Sequence, residues 1–166
     1  MIIVCRRVRA RETICAAFNC DDVLGMKRTA SAVWEGPLKE GKGTLTAPGG
    51  ALKETPYSFN SRFATGPGTN PEELIAAAHA GCFAMALSAA LGEAGFTPER
   101  LEATAEVNFE NVAPAGWTIT ASHLRLDARV HGIERAKFDE IAQKAKANCP
   151  ISRVLKAEIT LSATLV

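Results

Sequence analysis

The most constraining feature of this sequence is a long apolar helix that begins with Asn70-Pro71-Glu72-Glu73 and continues through Leu74 to Leu91. Asparagine can cap a helix, proline suits its first turn, and two carboxylates favour the positive end of the helix dipole. Gly95 is placed to end the helix after about Glu93 or Ala94. Because its middle is mostly alanine and other apolar residues, the helix must be covered on most sides. One domain of 166 residues does not cover it completely, so the helix predicts a dimer.

The segments around this helix indicate strands and one further helix. Apolar and polar residues alternate from Leu101 to Glu110 and again from Trp117, with a change of phase near Ser122-His123 that suggests a bulge. The pattern predicts an α+β fold with mainly antiparallel sheets around the long central helix. The remaining predicted segments are strands over 29–35, 43–47 and 159–165, an extended piece over 57–63, and an amphipathic helix over 134–147 with Phe138, Ile141, Ala142 and Ala145 on one face.

Length and charge exclude several classes of protein. The 166 residues are 47% hydrophobic, and 19 basic against 18 acidic side chains give a net charge of +1. With so weak a field we expect neither nucleic acid nor a membrane as a partner. The run from Leu74 to Leu91 has the length of a membrane span, but it contains His79 and Ser88, which favours a core or interface helix. We predict one domain over residues 26–166, preceded by a poorly ordered N-terminal extension over residues 1–25.

The cysteines indicate a reducing environment. Five occur, which is an odd number, and no Cys-x-x-Cys pair is present. Neither a secreted disulfide framework nor a cysteine-rich zinc site is expected from such a pattern. The first residues also lack the basic region followed by an apolar region that marks a signal peptide. We therefore expect a cytoplasmic protein. Three of the thiols lie in the extension, and the sequence assigns them no role: Cys5, Cys15 and Cys20.

Cys82 lies inside the apolar helix, where redox chemistry would require particular neighbours. A thiolate reduces a peroxide by attacking the O–O bond, which leaves a sulfenic acid on the sulfur. Free cysteine has a pKa near about 8.5, so a nearby cation must favour the anion. Arg62, Glu72 and Cys149 are candidates for the cation, the group that orients it and a second thiol. Glu72 precedes Cys82 by about 15 Å along the helix, so Arg62 would have to reach the thiol, especially at a site built from two subunits.

Each candidate also has a plainer interpretation. A buried cysteine is usually a small core residue, and Arg62 could be an ordinary surface side chain. Glu72 would favour the start of the helix through the dipole alone. His79, one turn before Cys82, could act as a base or join Cys82 and Glu72 as a metal ligand. A core or interface histidine is the expected role, because a zinc site needs more converging ligands than the sequence offers.

Several separate blocks of the sequence resemble the family of osmotically inducible protein C and organic hydroperoxide resistance proteins (OsmC/Ohr), and the OsmC branch in particular. The resemblance extends over residues 27–166 and does not include the extension. The matching blocks are 32–36, 57–63, 68–75, 79–83, 91–96, 145–152 and 155–157.

The resemblance implies a thiol-dependent peroxidase that reduces organic hydroperoxides to alcohols in oxidative and osmotic stress defence. It implies an intertwined homodimer with two sites at the subunit interface, which agrees with the uncovered central helix. By the same match Cys82 is the peroxidatic thiol and Cys149 the resolving thiol, while Arg62 activates the thiolate and Glu72 orients Arg62. A dithiol, which the resemblance suggests is a dihydrolipoyl group, would reopen the disulfide. We expect no metal and no organic cofactor for the attack.

Two other functions fit the same residues. A redox sensor could use a disulfide between Cys82 and Cys149 to change a partner interaction, although the sequence contains no basic patch or DNA-binding pattern. A dimer without enzymatic activity could bind apolar ligands and use its cysteines only as structural residues. Multiple turnover with an organic hydroperoxide distinguishes the peroxidase from both.

Overall fold

A computed structural model describes residues 25–166 of the chain. The predicted extension, except Gly25, and its three cysteines lie outside the described residues, so those expectations stay predictions. In chain order the elements are β1 Ser31–Glu35, β2 Lys42–Thr46, β3 Thr55–Ser58, α1 Phe59–Phe63, α2 Pro71–Glu93, β4 Pro98–Val112, β5 Gly116–Val130, α3 Arg135–Asn148, α4 Pro150–Val154 and β6 Glu158–Leu165.

The first sheet is antiparallel, with the order β1-β2-β3. Gly43 of β2 lies opposite Trp34 and Tyr57, and a side chain at this position would collide with the Tyr57 ring. Within the described part of the chain, the sheet makes its substantial contacts internally and with α1. Most of its residues are therefore exposed or half-buried, including the apolar side chain of Val33, and Leu38 in the connection between β1 and β2 is exposed as well.

The prediction that residues 57–63 are extended throughout was wrong, because the segment turns into the short helix α1 after Ser58. A capping box explains the change. The Ser58 hydroxyl accepts a hydrogen bond from the Ser61 backbone N–H at 3.1 Å, and the Ser61 hydroxyl accepts one from the Ser58 N–H at 2.9 Å. These two bonds satisfy backbone donors that a strand end would leave free. As a result Arg62 is presented from a helical turn.

The central helix α2 has the predicted start and end. Asn70 is the N-cap, and its side-chain oxygen accepts a hydrogen bond from the Glu73 N–H at 2.8 Å. The helix ends at Glu93, and Gly95 follows with a φ of 86°. That left-handed conformation suits glycine, which has no Cβ to clash. Both predicted termini of the central helix are therefore confirmed.

The second sheet has the order β4-β5-β6, in which β4 and β5 form a long antiparallel pair and β6 runs parallel to β5. The predicted bulge exists but lies slightly earlier than expected. Asn108 pairs with Ala121 while Phe109 pairs with Ile119, so Thr120 is the extra residue. At a bulge, two residues of β5 lie opposite a single residue of β4. The alternation of apolar and polar side chains along β5 therefore shifts by one position here.

The core lies between the second sheet and the helices α2 and α3. Phe83, Leu87 and Leu91 of α2 are fully buried there, against Leu124 and Leu126 of β5. The predicted face of the second amphipathic helix is also confirmed, since α3 buries the same four side chains that the periodicity selected: Phe138, Ile141, Ala142 and Ala145.

The other face of α2 is uncovered within the chain. Of the described helices, only α2 has the length and apolar composition of a membrane-crossing helix. Core helices of soluble proteins share this property. Only 22% of the most apolar 18-residue window of α2 is buried. Ala78, Gly81 and Met85 lie along the uncovered face, and Met85 is 76% exposed. We name the face formed by Ala77, Ala78, Gly81 and Met85 the free face of α2. Its small side chains would allow another helix to approach closely.

Candidate active site

Two thiols lie beside each other at the middle of α2. Cys82 is half-buried on α2, and Cys149 is fully buried between α3 and α4. The two thiols are close enough to shift each other's pKa, and both sulfurs are free of disulfide. Pro150 directly follows Cys149 and begins α4, and the non-helical backbone of Cys149, with a ψ of 123°, separates α3 from α4. The structure thus brings together the two cysteines that the sequence singled out.

Burial raises the pKa of both thiols, but the neighbouring groups change the two pKa values to different extents. Burial raises the pKa of Cys82, and the Ile151 N–H lowers it only in part, while neighbouring Cys149 raises it further. Burial also raises the pKa of Cys149, but hydrogen bonds from the Ser152 N–H, the Cys82 thiol, the Ser152 hydroxyl and the Ile151 N–H together lower it below its ordinary value. Within one chain the negative charge of the pair is therefore favoured on Cys149.

Arg62 and Glu72 form the second predicted pair. Arg62 Nη2 lies 2.7 Å from Glu72 Oε1, and Nε lies 3.2 Å from each carboxylate oxygen. The Glu72 side chain is 12% exposed and that of Arg62 is 37% exposed, so the pair is partly shielded from water. Among the described residues Nη1 makes no hydrogen bond, so this end of the guanidinium can bind another anion.

Local hydrogen bonds hold α1 against the start of α2 and so position this pair. The Ser61 hydroxyl donates to the Thr69 carbonyl at 2.8 Å, and the Asn70 side-chain amide donates to the Ser61 carbonyl at 3.1 Å. Arg62 follows Ser61 directly, and Glu72 lies two residues after Asn70. These local bonds therefore bring the guanidinium and the carboxylate together where α1 meets the start of α2.

The two pairs do not meet within one chain. Glu72 and Cys82 are separated by ten residues of α2, which is about 15 Å along a helix. Among the described residues, no cation contributes to the pKa of Cys82. Nothing in residues 25–166 thus places Arg62 beside Cys82 of the same chain, and the assignment of all four residues to one site stays a prediction.

His79 is a fully buried core residue. Its Nδ1 lies 2.8 Å from the Ser122 hydroxyl, and its Nε2 lies 2.8 Å from the Ser152 hydroxyl. Burial lowers the pKa of His79, so the ring is neutral near pH 7. Over residues 25–166 no three His, Cys, Asp or Glu side chains are grouped as metal ligands would be. Both ring nitrogens are already occupied, which agrees with the core interpretation.

The sequence interpretation missed that Phe109 and Trp117 lie near Arg62. The guanidinium carbon lies 4.7 Å from the centre of the Phe109 ring and 5.4 Å from that of Phe63. Trp117 stacks on Phe109 with ring centres 4.9 Å apart and is 56% exposed. Only the pairing of β4 with β5 brings these rings together, and the alternating pattern had marked them simply as strand residues. Phe109 and Trp117 line an open cavity of about 410 Å³ together with Arg62, Glu72, Ile75 and Val154.

A profile of the family described as OsmC-like protein matches residues 64–164. The chain belongs to the OsmC family. This confirms the resemblance and the predicted α+β fold with a long central helix and antiparallel sheets.

Relatives identify the branch. The chain is 55% identical to peroxiredoxin OsmC of Escherichia coli over 134 residues, which covers 81% of this chain and 93% of that protein. It is 31% identical to an organic hydroperoxide resistance protein of Xanthomonas axonopodis over 61% of this chain and 70% of that protein. The chain is thus a homologue of peroxiredoxin OsmC, and the prediction of a cysteine-based peroxidase is confirmed at this level.

Solved structures agree in fold. An OsmC-like protein of unknown function from Vibrio cholerae superposes with a TM-score of 0.69 at 15% identity, covering 84% of this chain and all of that one. The organic hydroperoxide resistance protein OhrB of Bacillus subtilis superposes with a TM-score of 0.60 at 25% identity, covering 83% of this chain and 98% of that one.

Proposed function

We propose that this protein reduces organic hydroperoxides to alcohols by a two-cysteine cycle in a reducing, cytoplasmic environment. The observation that carries the proposal is the contact between half-buried Cys82 and fully buried Cys149. The Cys82 thiolate attacks the O–O bond, the alcohol leaves after taking up a proton, and a sulfenic acid remains on Cys82. The Cys149 sulfur then attacks the Cys82 sulfur, water leaves, and a disulfide forms. A dithiol, by family resemblance a dihydrolipoyl group, returns both thiols.

The attack requires an anionic Cys82, which its burial opposes. We propose that Arg62 of a second copy supplies the missing cation through Nη1, while Glu72 of that copy holds the guanidinium in place. Two α2 helices packed antiparallel about a twofold axis near Ala77 would set residue 72 of one copy opposite residue 82 of the other, because position 77 lies midway between them. The free face of α2 is made of small residues there, which supports a close crossing.

Two exposed surfaces support this homodimer. The free face of α2 and the unpacked sheet β1-β2-β3 both leave apolar side chains in water within a single chain. Removing such surface from water is favourable by roughly 25 cal/mol per Å². A second copy that covers both would form an intertwined dimer, in which each sheet packs against the other subunit.

The aromatic rings beside Arg62 suit the organic part of the substrate. Phe63, Phe109 and Trp117 offer an apolar wall at a site where the guanidinium binds polar oxygen atoms. Alkyl and aryl hydroperoxides bury apolar area against such a wall, whereas hydrogen peroxide does not. We therefore propose that organic hydroperoxides are preferred to hydrogen peroxide.

Peroxide consumption by purified wild type and Cys82→Ser protein tests the proposal. With cumene hydroperoxide and excess dithiothreitol, the wild type should turn over many times, and Cys82→Ser should lose at least about a hundredfold of this activity because no other thiol replaces the nucleophile. Mass spectrometry after one equivalent of hydroperoxide should find a disulfide between Cys82 and Cys149. Full consumption by Cys82→Ser, or a stable disulfide to a cysteine of the extension, would contradict the assignment.

A further inference from the structure

The cavity beside Arg62 is lined by a second cation. Lys156, which lies in the connection between α4 and β6, lines the same cavity of about 410 Å³ as Arg62 and Glu72. Arg62 is bound to Glu72, whereas no carboxylate of residues 25–166 forms an ion pair with Lys156. Lys156 is exposed, and its ammonium lies at the end of a flexible four-carbon stem. The proposed cycle uses the first of these cations and leaves the second without a task.

The first step of the proposed cycle requires a proton that the thiolate does not supply. The Cys82 sulfur forms a bond to the terminal oxygen of the hydroperoxide, the O–O bond breaks, and its electron pair leaves with the oxygen attached to the organic group. Sulfur is oxidised to the sulfenic acid, and the peroxide is reduced to an alkoxide. An alkoxide is a strong base and a poor leaving group, so a proton supplied as the O–O bond breaks lowers the barrier.

Of the described side chains that line this cavity, only that of Lys156 has a proton to give. A guanidinium keeps its charge in proteins, so Arg62 stabilises an anion without releasing a proton. Glu72 accepts hydrogen bonds from Arg62 as a carboxylate, which has no proton to donate. The indole N–H of Trp117 donates a hydrogen bond but keeps its proton. The remaining lining side chains are apolar.

We infer that Lys156 is a further catalytic residue, the general acid that protonates the departing alkoxide. One ammonium proton passes to the oxygen of the organic group, the alcohol leaves, and the neutral amine takes a proton back from water. The inference rests on the proposed two-cysteine cycle and dimer, in which Lys156 belongs to the subunit whose Arg62 faces Cys82, since both line one cavity. On the thiol side, His79 and Cys149 are fully buried, and neither lines this cavity.

Two peroxides with different leaving groups test the inference in single-turnover experiments, in which rapid quenching and mass spectrometry follow the oxidation of Cys82. Reduction of tert-butyl hydroperoxide releases an alkoxide, which needs the proton, whereas peroxyacetic acid releases acetate, which is a weak base and does not. Lys156→Arg retains the charge but gives up no proton. Its rate constant with tert-butyl hydroperoxide should fall on the order of a hundredfold. Its rate constant with peroxyacetic acid should stay close to that of wild type.

Lys53→Arg is the matched control, because Lys53 is exposed, lies outside this cavity and forms no ion pair within residues 25–166. It should react with both peroxides as wild type does. Lys156→Met should lose at least as much as Lys156→Arg with tert-butyl hydroperoxide. Full activity of Lys156→Arg with tert-butyl hydroperoxide, or equal losses with both peroxides, would overturn the inference. A wild type that neither peroxide oxidises at Cys82 would instead reject the proposed cycle.

Discussion

Arg62 illustrates how one side chain can serve two partners. Its fork binds Glu72 through Nε and Nη2, and its plane lies over the Phe109 ring at 4.7 Å. These contacts fix the guanidinium before any substrate arrives, with Nη1 left for an anion. Lysine could provide the charge but neither the two-point contact nor the stacking.

Arg62→Lys should therefore lower kcat/KM for cumene hydroperoxide by roughly 10- to 100-fold, because the cation would no longer be held in one orientation. Steady-state peroxide consumption measures this. Arg125→Lys is a matched control, since Arg125 is exposed and also pairs with a glutamate, with its Nη2 2.9 Å from Glu106 Oε2. Equal losses in both variants, or none in Arg62→Lys, would contradict a special role for Arg62.

At the scale of elements, the sequence predicted best where one local rule decides the outcome. The termini of α2 follow from Asn70, Pro71 and Gly95, and the buried face of α3 follows from helical periodicity. The helix α1 was missed because its capping box depends on two serines within an otherwise extended, aromatic segment. The Phe109–Trp117 stack was missed because it depends on strand pairing, which a single sequence does not display. The sequence indicated both the two thiols and the ion pair. That the thiols and the ion pair lie apart within one chain is visible only in the structure.

Gly81→Leu tests the free face of α2. A Cβ at Gly81 meets nothing within 4 Å in the chain, and leucine favours helix over glycine by up to about 1 kcal/mol, so the subunit itself should tolerate the change. At a close helix crossing the same side chain would clash. We expect light scattering with size exclusion to show wild type as a dimer and Gly81→Leu shifted toward monomer, with loss of activity.

Gly92→Leu is the control for this experiment, because Gly92 is also open within the chain and lies on the same helix, beyond the proposed crossing. It should remain dimeric. A monomeric wild type, or a dimer that tolerates leucine at position 81 as well as at 92, would reject the proposed packing.

At the scale of the whole molecule, the proposed site takes its thiols from one subunit and its ion pair from the other. Arg62→Ala and Cys82→Ser subunits should each be nearly inactive alone. Co-expressed with different tags in equal amount, they should form mixed dimers with about half of wild-type activity, since each mixed dimer would contain one complete site of two. Peroxide assays on the doubly tagged fraction measure this. An inactive mixed dimer would indicate that each site is completed within one chain.

The free face of α2 carries Met85, a side chain that the peroxide substrate itself can oxidise. Met85 is 76% exposed in a single chain and lies one turn after Cys82. Peroxides convert methionine to a sulfoxide, which is polar and disrupts apolar contacts. Pairing of subunits would shield this sulfur, whereas a subunit that meets peroxide alone would be oxidised on the surface it needs for pairing. We expect assembly before exposure to peroxide to protect the protein, and newly made chains to be its most vulnerable form during stress.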